Sequence, residues 1–123
     1  MTHRSKSTGA VSIAAGASLS SAGNTSDKVL CALIVSAGWT PACLTFQASD
    51  DAGVTWNELY DDQGNEITIS AAAVAANNRL SMDPSNFAGV DFIKVRSGTA
   101  AAPVVQVAAA AITLVYRKYY ALN

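Results

Sequence analysis

Leu44-Thr45-Phe46-Gln47-Ala48, followed at once by Ser49-Asp50-Asp51-Ala52-Gly53-Val54-Thr55-Trp56, decides how this chain of 123 residues is read. In the first five residues apolar and polar side chains alternate. Leu44, Phe46 and Ala48 share one face and Thr45 and Gln47 the other, the period of a strand with one buried and one wet side. The next eight residues have the chemistry of a turn. Ser49 and Asp51 can accept hydrogen bonds from turn amides, Gly53 can take a positive φ, and Trp56 can pack back over the hairpin. A strand, a tight turn and a return are the unit of antiparallel sheet.

Outward from this unit, short apolar stretches alternate with clusters of Gly, Ser, Asn and Asp, the pattern of an all-β sandwich or barrel. The expected strands are Ala10 to Ala14, Ser18 to Ser21, Lys28 to Ser36, Leu44 to Ala48, Thr55 to Tyr60, Glu66 to Ser70, Arg79 to Met82, Asp91 to Arg96 and Gln106 to Tyr116. Leu30-Cys31-Ala32-Leu33-Ile34-Val35 is apolar at both parities, which predicts cover on both faces, in mid-sandwich or against a neighbouring subunit. Ile112-Thr113-Leu114-Val115-Tyr116 repeats that mixed parity, and the two runs are expected to anchor the core. Alanine is the best helix former, and it fills 71–76 (around Val74) and much of 100–111. Pro103 and the β-branched Val104, Val105, Val107, Ile112, Thr113 and Val115 argue against a long helix in the second stretch, and the first is read as a loop. One helical turn is expected at Pro84, with Asp83 as its cap and Gly89 ending it. The fold class predicted is an antiparallel β-sandwich, jelly-roll-like, of about eight short strands.

Composition narrows the function. Apolar residues make up 50%, but 24 of them are alanine, so the core is modest for a single domain. A net charge of −1 removes the counterion-release attraction of nucleic-acid binders, so no nucleic-acid partner is expected. One histidine and two cysteines cannot make a zinc site of the usual ligands without added carboxylates. The basic start Met1-Thr2-His3-Arg4-Ser5-Lys6 and the run from Val11 imitate a secretory signal, but glycines and serines dilute the apolar part, and no cleavage is expected. The longest near-apolar run, Val104 to Val115, falls short of the roughly 20 residues of a membrane helix, so no membrane partner is expected. Cys31 and Cys43 are read as small hydrophobes, with a disulfide left open because pairing geometry is not a property of sequence.

The motif Ser49-x-Asp51-x-Gly53-x-Thr55-Trp56 is an Asp-box and looks like those of sialidase propellers. Those proteins carry several copies and a catalytic residue set on a much longer chain. A single copy implies a structural turn. Six of the nine acids, Asp50, Asp51, Glu58, Asp61, Asp62 and Glu66, lie in one window without Lys or Arg. Calcium binding is the sharp reading, but the spacing is not that of an EF-hand, and a hydrated hairpin turning at Gly64-Asn65 is preferred. The same window could in principle supply a glycosidase carboxylate pair. His3 stands in a polar tail with nothing to hold it near a nucleophile, and no phosphate-cradling glycine loop occurs. Hence no catalytic residue, cofactor or metal ligand is assigned, and no enzyme is expected. Trp39, in Gly38-Trp39-Thr40-Pro41, could stack on a sugar but is read as a core anchor.

The stretches 11–20, 44–62, 87–90 and 94–103, the second holding the Asp-box, together resemble a family of small tailed-phage virion proteins. The likeness spans most of residues 11 to 115. It implies a β-sandwich displayed on a phage particle, in the virion after assembly in the host cytoplasm, with no enzymatic residue set. The expected division is an N-terminal arm over 1–10, the sandwich over 11–116 and a tail over 117–123. Tyr and Arg are enriched in interfaces, so the flanks supply the docking candidates His3, Arg4, Lys6, Arg117, Lys118, Tyr119 and Tyr120. The expected role is a capsid decoration or cement protein, with the major capsid protein or another virion protein as partner and self-association besides. A neck, head-fibre or tail-appendage module and a carbohydrate-binding module are the alternatives.

Overall fold

A computed structural model describes residues 6–118 of the chain. Eight strands form: β1 (Lys6–Ile13), β2 (Gly23–Asn24), β3 (Lys28–Val35), β4 (Leu44–Ser49), β5 (Asn57–Glu58), β6 (Arg79–Ser81), β7 (Phe92–Ser97) and β8 (Ala110–Lys118). They make two antiparallel four-stranded sheets, β1-β8-β3-β6 and β2-β7-β4-β5. The pairs β1–β8, β2–β7, β3–β6 and β4–β5 are the rungs of one long hairpin. Its wrapping brings β3 against β8 and β4 against β7. That is the eight-stranded jelly roll, and the chain is a β-sandwich of that order.

The core lies between the sheets. Val11, Ile13, Leu30, Leu33, Val35, Ile112 and Leu114 from the first sheet face Leu44, Phe46, Ile93 and Val95 from the second, all buried. Leu30 and Leu33 both point inward despite their odd spacing, because the β3–β8 register slips between Leu30 and Ala32, leaving Cys31 as the extra residue of a bulge. The bulge lets core residues fall at both parities of this run, Leu30 at one and Leu33 and Val35 at the other. Asp83 caps a 3-10 turn over Pro84–Phe87, its carboxylate accepting from Ser85 N–H, and Gly89 (φ +79°) follows the cap residue Ala88. The turn carries Phe87 into the core, edge-on to Phe46 with ring centroids 5.0 Å apart.

Three expectations are corrected. Ser18 to Ser21 and Glu66 to Ser70 are not strands and make only single bridges, Leu19 to Arg96, Tyr60 to Glu66 and Leu44 to Ile69. The last strand starts at Ala110 and not at Gln106, because Gln106 is spent on contacts to Thr40 and Ser97 described below. The boundaries of the sandwich also move. Residues 6–10 of the expected arm belong to β1, paired from Lys6 with Arg117 to Ala10 with Thr113, and Arg117 and Lys118 of the expected tail end β8.

Candidate docking site

Antiparallel pairing places the start of β1 beside the end of β8. Lys6 stands opposite Arg117, while on the other side of β8 Val29 stands opposite Arg117 and Lys28 opposite Lys118. Four cations, Lys6, Lys28, Arg117 and Lys118, therefore gather at one end of the first sheet. Lys28 lies over the buried Tyr116 ring, 5.1 Å from its centroid, and 3.5 Å from Asp27. Burial pushes the Tyr116 hydroxyl up to about 12. The strands of this sheet contain no Asp or Glu at all. Lys6, Arg117 and Lys118 are exposed. The structure thus brings three of the docking candidates together and adds Lys28, which sequence reasoning missed. His3, Arg4, Tyr119 and Tyr120 lie outside the described residues.

The opposite end is different in kind. The loops over 14–22, 36–43 and 98–109 carry no charged residue. Gln106, fully buried, ties them together: its Oε1 accepts from Thr40 N–H (2.7 Å), and its Nε2 donates to Thr40 O (3.0 Å) and Ser97 Oγ (2.8 Å). Its main chain donates to Ala17 O and accepts from Gly16 N–H. Burying this glutamine turns its neighbours Val105 and Val107 outward, 56% and 80% exposed. A lone amide inside an apolar run was the available signal.

The Asp-box joins β4 to β5. Ser49 Oγ accepts from Gly53 N–H (2.8 Å) and donates to Asp51 Oδ1 (2.8 Å), which accepts from Thr55 N–H (2.8 Å). Gly53 has φ +87°, and the Trp56 indole N–H returns to Gly53 O at 3.0 Å. One face of the Trp56 ring carries Lys94 Nζ, 4.4 Å from the centroid. Trp39 packs against the core, with its indole N–H 3.4 Å from Ala42 O.

The acidic window divides into separate duties. Asp51 and Asp61 hold turns, Asp61 accepting from Gln63 and Asn65 N–H at 2.9 Å. Those bonds, from Thr55 N–H first at Asp51 and Asn65 N–H first at Asp61, hold both carboxyls below their ordinary range. Glu58 and Glu66 converge on Arg96, which is buried on the outer face of the second sheet, with Nη2 2.6 Å from Glu58 and Nη1 3.4 Å from Glu66. Glu66 also accepts from Ala100 N–H at 3.0 Å. Burial pushes the Glu58 carboxyl up, but hydrogen bonds from Arg96 and Gln47 outweigh it and the carboxyl stays low. A glycosidase acid needs the opposite direction. This cluster corrects the expected wet side of β4: Thr45 is fully buried, bonded to Gly98 O at 2.6 Å and roofed by Arg96.

Cys31 and Cys43 are free and half-buried. Among the described residues no group of three or more His, Cys, Asp or Glu could hold a metal ion, and no helix is long and apolar enough to cross a membrane. Comparison with family models, with curated proteins and with solved structures found no match in any of the three.

Proposed function

We propose that this protein is a non-enzymatic structural component of a tailed-phage virion, a decoration or cement protein that binds the capsid shell through its terminal flanks. One observation carries the reading: Lys6 and Arg117 are cross-strand partners, so both flanks leave the sandwich side by side at its cationic end. A paired exit lets two short segments act as one docking unit, and Lys28 and Lys118 add charge beside it. Jelly rolls serve as viral capsid and lectin domains alike, so the fold supports the reading without deciding it. Against a lectin stands the use of both tryptophans within the chain, Trp56 under Lys94 and Trp39 against the core.

The major capsid protein, or another virion protein at the shell, is the proposed partner, and its contact surface is acidic. The test is to add the purified full chain to phage particles stripped of it and to measure bound copies and rupture on heating. Rebinding in hundreds of copies, weakened severalfold between about 50 and 500 mM salt as exposed charge pairs are screened, supports the reading. Failure to rebind, or a dozen copies confined to a neck or fibre, refutes shell cement; only the second result turns the protein into an appendage module.

A further inference from the structure

A jelly roll leaves four strand edges, and three of them here are short: β2 and β5 have two residues each and β6 three. Shortness is one of the ways natural sheets blunt an edge. The fourth, β1, has eight residues, Lys6–Ile13, and borders β8 on one side only. Its β8 register runs unbroken from Lys6–Arg117 to Ile13–Ala110, so no bulge twists it away.

Which amides face outward follows from a single contact. Ser12 N–H donates to Ser21 Oγ at 3.2 Å, and Ser12 O accepts from Ser21 N–H at 3.0 Å, so the main-chain groups of Ser12 point away from β8. In antiparallel pairing alternate residues turn the same way. Those of Ala10, Thr8 and Lys6 therefore also point away from β8. Among the described residues none of these three receives a partner on that side. All three are exposed, and no proline, bulge or inward-pointing charge guards them.

We propose that this edge pairs with the same edge of a second copy, antiparallel and about a two-fold axis at Thr8. The three open residues are spaced two apart, so the axis matches Lys6 with the second copy's Ala10, Thr8 with the second copy's Thr8, and Ala10 with the second copy's Lys6. Every open N–H and C=O then finds a partner, and the interface is self-complementary, as a two-fold contact must be. Charge selects the direction. Parallel pairing would set Lys6 against Lys6 on a sheet whose strands hold no carboxylate, whereas the antiparallel match sets each lysine against an alanine. At a net charge of −1 two copies have little to repel them. Ser21 closes the edge at Ser12, which limits the match to residues 6–10. The two docking ends would point in opposite directions. The pairing belongs to the chain alone and stands or falls apart from attachment to a shell.

So small an interface predicts a dissociation constant on the order of 0.1–1 mM. Sedimentation velocity of the full chain across that range should show a monomer–dimer equilibrium, present in Thr8→Val and lost in Thr8→Pro, which removes the central amide. Native-state amide exchange gives a second reading that needs no variant. Thr8 and Ala10 should slow about twofold from the bottom to the top of the range, while Gly9 and Val11, bonded to β8, stay constant. A monomer throughout with concentration-independent Thr8 and Ala10 amides overturns the proposal, including in favour of an edge kept for another protein. So does a dimer that persists in folded Thr8→Pro.

Discussion

Ser49 shows how much one hydroxyl can organise. Fully buried at the end of β4, it accepts from Gly53 N–H and orients Asp51, whose carboxylate holds Thr55 N–H. Ser49→Ala leaves the Gly53 amide without its partner, an expected loss of about 1–2 kcal/mol in urea unfolding. A loss under about 0.3 kcal/mol would show that the loop holds its shape without the hydroxyl. The carboxylates give the pH dependence. Asp51, Asp61 and Asp83 are held below their ordinary 3.8, and Glu58 below 4.5. A folded value beneath the unfolded one means stability that is present above the unfolded value and lost as pH falls through the folded one. The urea midpoint should thus be flat at pH 6 and decline from about pH 4.5 downward. Asp51→Asn with Asp61→Asn should flatten part of that decline; an unchanged slope in the double variant would mean these turns are not what acid breaks.

At the scale of elements, β4 and β7 show what a sequence discloses. The inward face of β4 was legible because Leu44, Phe46 and Ala48 alternate with polar residues. Its outer face was not, because the cover over Thr45 comes from Arg96, Glu58 and Glu66, brought together only by the wrapped hairpin. The Asp-box was legible because its bonds are local, each spanning a few residues. Periodicity puts Gln106 at the start of a strand because it sees only polarity, while its partners lie far off in sequence or in another element, Thr40 in the loop over 36–43 and Ser97 at the end of β7. Gly23–Asn24 was missed since two residues carry no period. The roof itself is testable. Arg96→Met strips two carboxylates of their cation; removing one side of a fully buried pair costs about 3–5 kcal/mol, and with Glu58 and Glu66 side chains 32% and 15% exposed about 2 kcal/mol is expected. Adding Glu58→Gln and Glu66→Gln to Arg96→Met should restore part of it. If the triple variant is no more stable than Arg96→Met, stranded charge is not the cause.

For the molecule as a whole, the boundary between folded domain and docking arm is where sequence and structure part most, and it makes the sharpest prediction. The arm expected over residues 1–10 overlaps β1, which closes the first sheet through pairs joining the two extremes of the chain. Removing residues 1–5 leaves all of these pairs standing. Removing residues 1–10 takes away the pairs from Lys6–Arg117 to Ala10–Thr113 and strips Ser7 and Gly9 from beside Tyr116 and Leu114, both now buried. Uncovering those two side chains should cost about 3 kcal/mol or more in lost burial. At roughly 5 °C per kcal/mol for a domain this size, that lowers Tm by about 15 °C. The shorter deletion should shift Tm by no more than a degree or two while abolishing rebinding to stripped particles. This contrast separates docking from folding, which the longer deletion alone cannot do, since an unfolded chain fails to bind for trivial reasons. Should the five-residue deletion melt as low as the ten-residue one, those residues are part of the sandwich, and the docking surface must be sought among Lys6, Lys28, Arg117 and Lys118 on the strands themselves.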